Sequence, residues 1–75
     1  MELSEVIAEV GGQSALAQRI GCNKSYINRA SKKGKAGPAL AVRIYRSTGH
    51  RTGPVVDASP EQIEMMERLF VRDRA

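Results

Sequence analysis

The sequence holds one cysteine (Cys22), one histidine (His50), no tryptophan, and only Tyr26, Tyr45 and Phe70 as aromatic residues. A lone cysteine builds no internal disulfide framework, which excludes a knotted secreted mini-protein. One His and one Cys leave a His/Cys metal site without enough ligands, and a catalytic triad has no material. No catalytic residue, metal, cofactor or small-molecule substrate is therefore expected. No apolar run approaches the ~20 residues that cross a bilayer. The first residues, Met1-Glu-Leu-Ser-Glu5, are acidic where a signal peptide is basic. The 75 residues fit one small domain, 1–75. A chain this short buries only about 60% of the surface its unfolded form exposes. What remains is the expectation of a soluble, cytoplasmic, non-enzymatic module.

Acid is also missing, but locally. The formal charge is +4. Residues 1–21 carry −2, residues 54–75 carry −2, and residues 22–53 carry +8 without a single Asp or Glu. The eight cations are Lys24, Arg29, Lys32, Lys33, Lys35, Arg43, Arg46 and Arg51. An acid-free stretch of this kind is the electrostatic footprint expected for a polyanion. Glu2, Glu5 and Glu9 then read as a solvated acidic face turned away from it.

Periodicity predicts an all-α fold of about five short helices. Leu3, Val6, Ile7 and Val10 recur at i, i+3, i+4, i+7, and Gly11-Gly12 ends that helix. Gln13 to Ile20 follows, with Leu16, Ala17 and Ile20 inward, and Gly21 stops it. Asn23 offers a side-chain oxygen to cap a third helix, Lys24 to Lys33. After the loop 34–37, Pro38 opens a fourth helix with Leu40, Ala41, Ile44, Tyr45 and Thr48 on its inner stripe, closed by Gly49. Residues 50–58 read as irregular, with a short extended piece at Val55-Val56. Ser59-Pro60-Glu61-Gln62 has the form of a capping box and starts a fifth helix, 60–70, with Ile63, Met66, Leu69 and Phe70 inward. The tail, 71–75, is expected to fray.

Function concentrates in residues 13–33. A DNA-binding helix-turn-helix needs a small residue where its second helix crosses the first, a residue at ease with positive φ in the turn, and a branched apolar residue to lock the pair. Ala17, Gly21 and Ile27 meet those needs in order, with Leu16, Ile20 and Ala30 in support. At 100° per residue, Lys24, Ser25, Asn28, Arg29 and Lys32 fall within an arc of roughly 140°. Tyr26, Ile27 and Ala30 lie opposite. A merely solvated helix mixes Glu with Lys; this one has no acid.

At these residues the chain resembles the Cro-type phage repressors. Gly21-Cys-Asn-Lys-Ser25-Tyr-Ile-Asn-Arg-Ala30 is similar to their turn and recognition helix, in which Ser-x-Ile-Asn-Lys/Arg-Ala recurs. The stretch from Gly11-Gly-Gln-Ser-Ala-Leu-Ala17 to Thr48-Gly49 is also similar to YdaS-like antitoxins and Cro-like prophage regulators. The resemblance covers residues 3–50, about two-thirds of the chain. Beyond Gly34 it departs from members whose β-strands follow directly, because Pro38 opens another helix; this favours an all-helical branch with lambda-repressor-like architecture.

Chemistry and resemblance together imply roles. Arg29 suits guanine O6/N7 and Asn28 suits adenine N6/N7, with Lys24 and Ser25 beside them as base readers. Gln13, at the start of the second helix, matches the position where such repressors hold a phosphate. Lys32, Lys33, Lys35, Arg43 and Arg46 read as further phosphate contacts. The partner expected is double-stranded operator DNA, bound as a homodimer within a bacterial cell. Val55, Val56, Met66, Leu69 and Phe70 are the candidate dimer contacts, and Met65 reads as core or subunit contact. Cys22 reads as a small buried hydrophobe and His50 as a polar residue after a helix end. The alternative function is an antitoxin that holds a protein partner through its C-terminal helix and binds its own promoter. A general nucleic-acid coat lacks stacking aromatics on the basic face.

Overall fold

The apolar spacing of the sequence resolves into five helices around one core. A computed structural model describes residues 1–71. In chain order it comprises α1 (Leu3–Val10), α2 (Gln13–Ile20), α3 (Lys24–Lys33), α4 (Pro38–Thr48), a 3-10 turn (Gly53–Val55) and α5 (Pro60–Phe70). The fold is all-α, with no strand among the described residues. The tail expected to fray begins at Val71, which is half-buried; residues 72–75 lie outside the described residues. No helix among the described residues is long and apolar enough to cross a membrane.

The helices start and stop for local reasons. The Ser59 hydroxyl accepts the Gln62 backbone N–H at 3.2 Å, and the Gln62 side chain accepts the Ser59 N–H at 2.8 Å, completing the expected capping box. The Glu5 carboxylate likewise accepts the Glu2 N–H at 2.8 Å. Thr48 returns its hydroxyl proton to the Ile44 carbonyl at 2.8 Å and accepts the His50 N–H, which turns the chain out of α4. Asn23 occupies the expected position before α3 but makes no side-chain cap bond, so the cap predicted there is absent. No extended piece forms at Val55-Val56 either. Pro54 and Gly53 favour a tight turn, and the Val55 and Val56 N–H groups bond back to Thr52 and Gly53.

Leu3, Val6, Leu16, Ile27, Leu40, Val42, Ile44, Val55 and Ile63 are completely or almost completely buried, and Ala17, Ala30 and Ala41 lie among them. Central α2 packs on α1, α3 and α4, while α4 carries α5 and the 3-10 turn on its other side. Every element therefore contributes to one core, and α3 sits at its edge with one face committed and one free. Two details depart from expectation. Val42 is buried although it lies off the predicted stripe of α4, and Thr52 is buried beneath the 3-10 turn.

Candidate nucleic-acid interface

The helix pair α2–α3 is built as its spacing requires. Ala17 is buried at the crossing, Gly21 turns the chain at φ +74°, and the Gly21 and Cys22 N–H groups both bond to the Ala17 carbonyl. Only Gly21, Cys22 and Asn23 separate the helices. Ile27 is completely buried, with Ala30 buried and Tyr26 half-buried beside it. That docking leaves Lys24, Ser25, Arg29, Lys32 and Lys33 exposed.

Asn28 differs from its neighbours. It is half-buried, and its Nδ2 donates to Gln13 Oε1 at 3.2 Å, across the pair. The contact ties the start of α2 to the middle of α3. It uses one of the two Asn28 amide hydrogens, so one hydrogen and the Oδ1 acceptor remain for a base edge. The Gln13 amide group stays free to donate. Gly12 precedes α2 and brings no side-chain cap, so the first N–H groups of α2 have no capping side chain. Gln13 and Asn28, expected separately as a phosphate contact and a base contact, are joined in one hydrogen-bonded unit, a link the sequence did not suggest.

The predicted phosphate cations divide into two groups. Arg29 stands on a ridge between two grooves. One groove carries Ser25 and Arg43, and the other carries Lys32, Lys33 and Lys35 over an apolar floor that includes Ala30 and Leu40. Arg43 of α4 therefore joins the α3 face. Arg46 does not: it pairs with Glu67 of α5 at 3.1 Å. The carboxylate offsets part of the local positive field, and this exposed pair sets Arg46 apart from the cations of the α3 face. Arg51 is also committed. It donates to the Val55 and Ala58 carbonyls at 3.4 and 2.9 Å and stacks 5.1 Å from the Tyr45 ring centre. Among the described residues, the cations on the α3 side are Lys24, Arg29, Lys32, Lys33, Lys35 and Arg43.

Cys22 is half-buried, rather than fully buried as expected, beside Arg43 at the start of α3. Burial pushes its thiol above the ordinary value, and the positive Arg43 draws it part of the way back. Among the described residues, no group of three His, Cys, Asp or Glu is placed to hold a metal ion.

The candidate dimer residues scatter. Val55 is completely buried in the core, where a second copy cannot touch it. Met66 is half-buried against that core. Phe70 is 45% exposed but lines the groove with Ser25 and Arg29. Val56 is exposed near the start of α1. Leu69 alone lies on the outer face of α5, beside Met65, and both are 59% exposed. A helical wheel carries the signal for this pair: Met65 and Leu69 are i, i+4 neighbours, about 120–160° from Ile63. No family model, curated protein or solved structure matches the chain.

Proposed function

We propose that the protein is a sequence-specific DNA-binding repressor of the Cro type, which lays α3 in the major groove of operator DNA as a dimer. One observation carries this reading. A helix with an exposed, acid-free face of Lys24, Ser25, Arg29, Lys32 and Lys33 is held at its edge position by α2 across a three-residue turn.

Arg29, on its ridge, presents a planar fork of donors that matches guanine O6 and N7. Asn28, oriented by Gln13, offers its remaining hydrogen and Oδ1 to adenine N7 and N6. Lys24 and Ser25 flank them. The Gln13 amide, the N–H groups at the start of α2, Lys32, Lys33, Lys35 and Arg43 grip phosphates and set register without reading sequence. Repression follows by occlusion, because a domain seated in the groove keeps polymerase from the same duplex.

Selection of bound molecules from random duplex DNA tests the proposal. The expected product is a palindromic consensus with half-sites about 10–10.5 base pairs apart, centre to centre. Equal affinity for all duplexes refutes it.

A further inference from the structure

The outer face of α5 exposes two large apolar side chains that the core does not explain. Met65 and Leu69 are each 59% exposed, one helical turn apart. Beside Met65 runs a shallow groove lined by Pro54, Ala58, Met65 and Met66 together with Asp57, Glu61 and Gln62. Its volume of about 570 Å³ readily admits an aliphatic side chain. From this face we infer a two-fold interface in which α5 packs antiparallel against α5 of a second copy, centred on Met65.

The pairing follows from height and flank. Glu61 lies about 6 Å before Met65 along the helix axis and Arg68 about 4.5 Å after it. Reversing one helix about Met65 therefore brings Glu61 of each copy level, within about 1.5 Å, with Arg68 of the other. At 100° per residue Glu61 and Arg68 lie on the same flank of the Met65 stripe, so the level residues also face each other. On the opposite flank, Leu69 meets Gln62 of the second copy, which borders the groove. Each copy thus inserts Leu69 into the groove of the other. A parallel pairing sets each flank against the opposite flank of the other copy, so Glu61 meets Gln62, Arg68 meets Leu69, and neither charge finds an opposite one. Charge and shape select the antiparallel one.

Arg68 already holds Glu64 of its own helix at 3.2 Å on the exposed surface. Such a contact is worth little and leaves guanidinium hydrogens free for the second copy. Two apolar side chains and one groove per copy fall short of the about 800 Å² per partner of a stable interface. The free dimer is therefore weak, and two half-sites on one duplex bring the copies together. For that use on DNA the assignment rests on the dimeric reading above, but the interface is testable in solution without DNA.

Sedimentation equilibrium of the whole chain, up to millimolar concentration, provides the test. Wild type is expected to show reversible monomer–dimer association. Leu69→Lys, and separately Glu61→Lys and Arg68→Glu, are expected to weaken it at least about tenfold. The double variant Glu61→Lys/Arg68→Glu is expected to recover most of the loss, which a folding defect cannot do; circular dichroism checks that each variant keeps its helices. A wild type that stays monomeric overturns the interface, as expected if another protein is the occupant of this face. So does an unchanged Leu69→Lys dimer, or a double variant no better than the singles. The two readings fail separately. Dimerisation through α5 with equal affinity for all duplexes removes the DNA reading alone. A palindromic consensus bound with the same cooperativity by Leu69→Lys removes the interface alone.

Discussion

Two glycines with similar backbone angles have different reasons to be glycine. Gly21 has φ +74° and open space where a Cβ would stand, whereas Gly53 has φ +58° and would place a Cβ 2.7 Å from the Ala36 carbonyl oxygen. Gly21→Ala is expected to cost about 1–2 kcal/mol from left-handed strain alone. Gly53→Ala is expected to cost about 2–4 kcal/mol, because a backbone clash adds to that strain. Urea denaturation of both variants measures the difference, and equal losses contradict it. Gly21 was legible in the sequence because a local pattern, Ala17 to Ile27, demands it. Gly53 was not, since its constraint comes from Ala36, seventeen residues earlier. Cys22 makes a pH-dependent case. Its raised thiol value favours the neutral form in the folded chain. The resulting stability is present below the unfolded thiol value and is lost as pH rises through the folded one. Iodoacetamide is accordingly expected to alkylate Cys22 more slowly at pH 8 in the native protein than in the urea-unfolded chain; equal rates oppose that reading.

At the scale of elements, α3 was the most legible because both its faces are written in one pattern, apolar Ile27 and Ala30 against polar Ser25, Arg29 and Lys32. The division of labour along it makes a prediction. Arg29→Ala is expected to cost roughly 1–3 kcal/mol on the cognate site and little on random DNA. Lys33→Ala is expected to weaken binding to both. Equal loss on both duplexes with Arg29→Ala removes that residue from base reading. The fifth helix was less legible, because it carries two apolar stripes that a single period merges. Ile63, Met66 and Phe70 follow one i, i+3, i+7 series toward α4 and α3. Met65 and Leu69 follow a second, toward solvent. Leu69, expected inward with the first series, belongs to the second. The 3-10 turn escaped for another reason: it is held by Arg51, whose donors reach Val55 and Ala58 only once the chain has folded around Tyr45.

Across the whole molecule, folding divides the cations that the sequence groups together. Eight cations in residues 22–53 form a continuous block in sequence, yet Arg46 is paired with Glu67 and Arg51 is spent on the turn and Tyr45. The remaining six gather on the α3 side of a body measuring 29 × 26 × 20 Å. A body of that length fits one half-site of a two-fold operator, whose half-sites recur every 34–36 Å or so. Salt dependence reads the footprint directly, because each phosphate neutralised releases counterions and steepens log K against log salt by about 0.9. Phosphate contacts by Lys32, Lys33, Lys35 and Arg43, as proposed, imply a slope of about −3.6 per protomer on a half-site, reaching about −5.4 if Lys24 and Arg29 displace counterions too. All eight imply about −7.2. The expected slope lies in the lower range, with Lys33→Ala reducing it by about one unit and Arg46→Ala leaving it unchanged. Filter-binding titrations on a duplex carrying a single half-site, between roughly 50 and 200 mM salt, supply the measurement. A slope near −7 that falls on removing Arg46 shows instead that Arg46 exchanges Glu67 for a phosphate on binding, and with it that α5 shifts when the protein meets DNA.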